Sequence, residues 1–202
     1  MAYTQASSNI FDCSLCYTRC DGVSKGVYIF NNDVSFSEHY ENLIIDRINS
    51  YEKYQSNKCA EEGFPDIEIK DLQGNLYRYL EVKVQQRTFM NVAKYLPESQ
   101  LKPSESVALN LSDLVRYFEI ERITGVTTVI IWVVLNRLCI VPENNFRLFF
   151  QTSKELEKIY NTQKKYRTFK RKSGEGDVVD GVHKGVTVNF HFSLNELKEW
   201  QW

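Results

Sequence analysis

Residues 63–85 read GFPDIEIKDLQGNLYRYLEVKVQ. Two short runs of alternating apolar and polar residues flank Gln73-Gly74-Asn75, the pattern of a β-hairpin. Side chains of a strand alternate between its faces. In the second run, Tyr77, Tyr79, Glu81, Lys83 and Gln85 therefore share one face, and Arg78, Leu80, Val82 and Val84 share the other. Glu81 and Lys83 stand side by side with one residue between them. Asp66, at the start of the partner run and just after Pro65, is the natural opposing acid.

The flanking sequence reads outward from this hairpin. Before it, Phe36, Tyr40, Leu43, Ile44, Ile48 and Tyr51 recur at helical spacing, and Ser35 or Ser37 can cap the helix they define. After it, residues 87–107 are irregular and carry Pro97 and Pro103. A helix is expected at SDLVRYFEIERI, capped by Ser112 and ended by Gly125. The run VTTVIIWVVL is β-branched and almost unbroken, which suits a central strand buried on both faces. A helix at SKELEKIY follows, then a hairpin and a short amphipathic helix carrying Trp200 and Trp202. This order predicts an α/β fold, helices flanking a mixed sheet. Two parts are expected: a cysteine-rich N-terminal segment over residues 1–34 and one larger domain over 35–202.

Composition narrows the function classes. The 202 residues carry 25 Lys and Arg against 26 Asp and Glu, a net charge of −1. No bulk positive field therefore announces a nucleic-acid partner, and any such contact must come from a local patch. The start of the chain lacks a basic segment followed by an apolar run, so no secretory signal is expected. The longest apolar run is too short for a membrane-spanning helix. The chain is read as cytoplasmic, without a membrane partner.

The acid–acid–lysine constellation carries the chemistry. Phosphodiester hydrolysis needs a nucleophilic water and stabilisation of charge on the phosphorus oxygens. Mg²⁺ serves both needs and takes a few carboxylates plus waters and phosphate oxygens. Two close acids repel one another, and a cation between them relieves that repulsion. Asp66 and Glu81 are thus candidate Mg²⁺ ligands, with the carbonyl of Val82 as a further one. Lys83 is placed to stabilise the transition state or to orient and activate the water. The competing reading is a solvated hairpin face with Glu81 and Lys83 offset by cross-strand partners.

Pro65-Asp66 followed by Glu81-Val82-Lys83, in a hairpin preceded by a helix and followed by a helix and a buried strand, resembles the PD-(D/E)xK nuclease superfamily. The resemblance spans about residues 36–135 and implies a restriction-endonuclease-like fold. It also implies a further acid on the preceding helix, for which Glu41 is the best match and Glu38 the competitor. Gln85 falls where the family often has a polar residue near the metal or phosphate. The implied function is a Mg²⁺-dependent DNA endonuclease, most like the restriction type, with DNA as partner and a homodimer as the usual assembly. A Holliday-junction-resolvase-like enzyme is the alternative within the family. From a different class, a zinc-stabilised nucleic-acid-binding adaptor on an inactive nuclease scaffold would explain the same residues.

Two further clusters stand apart. Cys13, Cys16 and Cys20 in FDCSLCYTRC, with Cys59, offer four thiolates, the donor set of a structural Zn²⁺ site. An iron–sulfur cluster or ordinary free thiols are the alternatives. The run KKYRTFKRK holds Lys164, Lys165, Arg167, Lys170, Arg171 and Lys172, interleaved with Tyr166 and Phe169. It is the candidate DNA-contacting segment, with the glycines after it suggesting a loop. A solvated charge run is the plain alternative.

Overall fold

The computed structural model describes residues 3–5, 30–86, 88–135, 145–170, 178–179, 182–183 and 188–201. Cys13, Cys16, Cys20, Arg171 and Lys172 lie outside the described residues.

Helix α1 (Phe30–Asn49) buries Tyr40, Ile44 and Ile48, which recur every four residues and so line one stripe. It begins earlier than Ser35 or Ser37 as caps would have it, and the expected boundary at residue 34 falls inside it. Its end is tied down by Asn49, whose Oδ1 accepts the Ser56 N–H at 2.7 Å and whose Nδ2 donates to the Ser56 carbonyl at 3.2 Å. Tyr51, expected on the helix, therefore lies past its end and is exposed.

Ser56 belongs to β2 (Tyr54–Lys58), a strand the sequence pattern did not announce because polar residues fill it. It pairs antiparallel with β3 (Ile67–Asp71), which pairs antiparallel with β4 (Leu76–Gln85). The hairpin is thus the inner part of a three-strand meander. Its turn is built by Asp71, whose carboxylate accepts the N–H groups of Gln73 (3.0 Å) and Asn75 (2.8 Å), with Gly74 at a φ of 84°. These hydrogen bonds, led by the Asn75 side chain, lower the pKa of Asp71.

After β4 come a single helical turn, α2 (Val92–Tyr95), and β5 (Ser106–Asn110). Helix α3 (Leu111–Thr124) follows at once. Its cap is Asn110, not the expected Ser112: Asn110 Oδ1 accepts the Ser112 N–H at 3.1 Å. Both are cap-type residues, and the end of β5 places Asn110 first. Gly125 ends α3 as expected, at φ 68° with its N–H on the Glu121 carbonyl. Strand β6 (Thr128–Val134) is buried along its whole length and runs parallel to β4. Strand β7 (Arg147–Thr152) pairs antiparallel with β6 and leads into α4 (Ser153–Arg167).

The C-terminal segment departs most from expectation. Helix α4 runs on through the basic residues to Arg167, and β8 (Thr168–Lys170) follows directly. Lys164, Lys165, Arg167 and Lys170 thus sit on a helix end and a strand, and the glycines expected to form a loop after them lie outside the described residues. The two-residue strands β9 (Val178–Val179) and β10 (Val182–His183) pair as a small hairpin. Strand β11 (Val188–Ser193) joins β5 on one side and β8 on the other in a second, three-stranded sheet. The expected terminal helix is a single 3-10 turn at Leu194–Glu196, closed by a capping box with Ser193, and then strand β12 (Lys198–Trp200). Leu194, Leu197 and Trp200 are all buried, but on opposite sides of the main sheet, which a one-faced helix could not achieve.

The main sheet has the order β1-β12-β7-β6-β4-β3-β2, where β1 (Tyr3–Gln5) supplies one edge. Only the β4–β6 pair is parallel, so the sheet is mixed. Its two faces carry two cores. On one face α1 covers Leu80, Val82, Val129, Ile131 and Val133. On the other, α3, α4 and the second sheet cover Ile130, Trp132, Val134 and Phe149. Trp132 Nε1 donates to the Ala108 carbonyl of β5 at 3.1 Å, which satisfies a buried donor and ties the two sheets together. This is the helix-flanked mixed sheet that the family resemblance implies. Among the described residues no helix is long and apolar enough to cross a membrane.

Candidate active site

The β3–β4 ladder closes at the pair Ile67–Leu80, so Asp66 and Glu81 face each other one step beyond it. There Asp66 replaces the missing backbone partner: its Oδ2 accepts the Val82 N–H at 2.8 Å. Its own carbonyl takes the Cys59 N–H at 2.9 Å, which fixes the entry into β3. The N–H and C=O of one strand residue point to the same edge, so the Val82 carbonyl is aimed at the same notch. Asp66 is half-buried, and burial raises its pKa. The Val82 N–H and Lys83 oppose that rise, and the negative charge of Glu41 adds to it.

Glu81 is 2% exposed, in a strand that lies between two others. Its carboxylate contacts Lys83 Nζ and takes a hydrogen bond from the Tyr117 hydroxyl on α3. Burial raises its pKa, Asp66 adds to the rise, and Lys83 and Tyr117 resist it. Lys83 remains a third exposed and also lies 4.0 Å from Asp113 Oδ2. Burial disfavours its charge, but the attraction of Glu81, Asp66 and Asp113 outweighs it and raises the pKa. Lys83 is therefore a cation throughout the neutral range.

Of the two candidate helix acids, Glu41 lies nearer the cluster and is the more buried. Its side chain is 13% exposed, lies 3.3 Å from Lys58 Nζ and acts electrostatically on Asp66. Glu38 is 56% exposed and 3.5 Å from the same lysine. Gln85 shares the strand face of Lys83, yet its Oε1 accepts the Ala108 N–H at 3.2 Å, joining β4 to β5.

Three members of this cluster were not singled out from the sequence: Lys58, Asp113 and Tyr117. Lys58 ends an unrecognised strand. Asp113 and Tyr117 sit four apart on α3, so both project from one side of the helix. Only the packing of α3 against β4 gives that side a meaning. The Tyr117 hydroxyl is buried beside Glu81, and its pKa is raised by burial and by that carboxylate.

The other expected ligands fall elsewhere. Cys59 is a half-buried free thiol packed against the core between β2 and β3. Among the described residues, no group of three or more His, Cys, Asp or Glu side chains converges as a ready metal cage. Lys164, Lys165 and Lys170 are exposed. Arg167 is buried and binds Glu196 through Nη1 at 2.6 and 2.8 Å, so its guanidinium is committed to the fold.

No family model and no curated protein matches the chain. Among solved structures it is similar to a Holliday junction resolvase from the archaeal hyperthermophile Archaeoglobus fulgidus. The identity is 11%, the TM-score is 0.39, and the alignment covers 78% of this chain and 83% of that one.

Proposed function

We propose that the chain is a metal-dependent endonuclease that hydrolyses phosphodiester bonds in DNA. One observation carries this reading. Asp66 and Glu81, both with raised pKa, meet at the open end of a strand ladder beside the cation Lys83. A solvated hairpin face would not bury Glu81 and would not draw Lys83 between two acids.

The residues fit Mg²⁺. Two carboxylates and the Val82 carbonyl would hold it, with waters and phosphate oxygens completing a shell that Mg²⁺ prefers to keep partly hydrated. When bound, the ion supplies positive charge at the scissile phosphate and lowers the pKa of a water. Lys83, held protonated beside the two acids, would stabilise negative charge developing on the phosphate oxygens and orient the attacking water. Tyr117 holds the Glu81 carboxylate, Asp113 steadies Lys83, and Glu41 with Lys58 sets the charge balance on the Asp66 side.

The finer reading from the sequence is a restriction-type enzyme acting as a homodimer, one active site per strand. The structure-specific enzyme remains the alternative within the same chemistry, and the substrates compared below separate the two. The Zn²⁺ reading of Cys13, Cys16, Cys20 and Cys59 is a separate proposal, tested by metal analysis of the purified chain.

The deciding experiment is cleavage of plasmid, duplex and branched DNA with and without Mg²⁺, comparing wild type with Asp66→Ala and Lys83→Ala. Mg²⁺-dependent cutting by wild type alone supports the proposal. Discrete plasmid fragments indicate restriction-type specificity, and cutting confined to branched substrates indicates the structure-specific reading. DNA binding without turnover, indifferent to Mg²⁺ and to Asp66→Ala, would replace the enzyme with an adaptor.

A further inference from the structure

Four residues beyond Gln85, the chain leaves the site strand and builds an aromatic cluster. Phe89 stacks on Tyr95 with ring centres 6.0 Å apart and planes 12° from parallel. Phe169 of β8 closes a triangle, 5.1 Å from Phe89 and 5.2 Å from Tyr95. The floor is apolar: buried Val92, Leu96 and Leu101, with the His191 ring 4.9 Å from Phe89. Burial lowers the His191 pKa to about 4, so that ring is neutral at pH 7.

The top of the cluster is open. Tyr95 is 48% exposed, and Phe89 and Phe169 are only partly buried. Residues 88–102 together with β8 carry Lys94, Lys102 and Lys170 against one acid, Glu98. Lys94 Nζ lies 5.8 Å from the centre of the Tyr95 ring. Helix α4, which ends in the exposed Lys164 and Lys165, packs against the turn at Pro97–Ser99. Flat rings with a cationic rim complement unpaired bases on a phosphate backbone, since every base offers a stacking face. A duplex keeps its bases inside and offers only its backbone to the same surface.

The cluster is also mechanically joined to the site. His191 is the register partner of Ala108, and the Ala108 N–H is the one that Gln85 accepts. Lys83 and Phe89 are six residues apart, within about 20 Å even along a fully extended chain.

We propose that Phe89, Tyr95 and Phe169, rimmed by Lys94 and Lys170, form a stacking surface for unpaired nucleotides of a DNA strand that passes the candidate active site. This rests on the nucleic-acid reading above and narrows it to substrates with single-stranded character.

The test is fluorescence anisotropy with a labelled 12-nucleotide strand and the matching blunt duplex, in EDTA so that no cleavage intervenes. Wild type, Tyr95→Ala and Tyr95→Phe are compared as full-length chains, and Tyr95 is exposed enough for both variants to fold. Tyr95→Ala is expected to weaken single-strand binding about tenfold, with duplex binding changed less than about twofold and Tyr95→Phe close to wild type. Equal weakening of both ligands, no weakening, or no single-strand binding by wild type overturns the proposal. Because binding is read without metal, a failure of the nuclease reading shows separately, as absence of cutting by a wild type that still discriminates the two ligands.

Discussion

Two charged stretches of this chain have opposite fates. Glu81-Val82-Lys83 lies in the middle of the main sheet, where Glu81 and Val82 are buried and Lys83 keeps a third of its side chain in solvent. Lys164 to Lys170 lies where α4 gives way to β8, and most of its cations reach solvent. The denser cluster of charge is thus the less buried one. In the first stretch the charges are interdependent: burial raises the pKa of Glu81, and Lys83 and Tyr117 resist that rise. In the second stretch a single member, Arg167, is drawn inside, and it goes with its own partner, Glu196. Charge that a fold takes inside in mutually dependent groups is a candidate for chemistry, whereas a single buried pair such as Arg167–Glu196 serves the fold. Charge left outside acts one residue at a time, through long-range attraction.

That contrast can be broken most sharply at Lys83. Lys83→Ala is expected to lower the cleavage rate by about a hundredfold to a thousandfold, read in single-turnover assays, because a preorganised cation at the phosphate is lost. Undiminished cutting would show that the interior cluster is structural. The buried member of the other stretch should behave in the opposite way. Arg167→Ala is expected to cost about 2 kcal/mol of stability in urea melts, since Glu196 loses its ion pair and keeps the Ser193 N–H, while cleavage by the folded fraction is preserved.

His191, whose ring bonds the Arg167 carbonyl, gives a pH signature. Its pKa is about 4 in the folded chain against an ordinary value of 6.5. Between those values the unfolded chain takes up a proton that the folded chain refuses, so this contribution to stability is present above pH 6.5 and is lost as pH falls towards 4. The loss is up to about 3 kcal/mol. His191→Phe is expected to flatten the stability profile over that window, measured by urea melts at a series of pH values.

Two smaller effects sharpen the comparison. Tyr117→Phe removes one hydrogen bond to Glu81 and is expected to slow cleavage about tenfold. Its activity profile should shift to higher pH, because Glu81 loses a contact that favours its ionised form. A change in stability alone would make Tyr117 a packing residue. The double variant Lys164→Ala/Lys165→Ala is expected to alter stability by less than about 0.5 kcal/mol. If these lysines touch phosphate, it should reduce the slope of log affinity against log salt by about 2. An unchanged slope would leave them a solvated surface.

The sequence by itself determined the features that rest on near neighbours. Alternation in residues 63–85 set the hairpin and put Glu81 and Lys83 on one face. Four-residue spacing of Tyr40, Ile44 and Ile48 set the buried stripe of α1, and the β-branched run set β6. These patterns are written within a few residues because a strand or helix face repeats at that interval. Tertiary structure alone decided the rest. The second sheet depends on β5 meeting β11 across the chain, and the partner of a strand is not written in its own residues. The tail became a 3-10 turn and an inserted strand because Leu194 and Trp200 serve opposite cores. Tyr117 became a partner of Glu81, and Arg167 of Glu196, through contacts 36 and 29 residues apart in sequence. Whether a charged side chain is a solvated ornament or part of a buried cluster depends on what covers it, and that covering comes from distant segments of the chain.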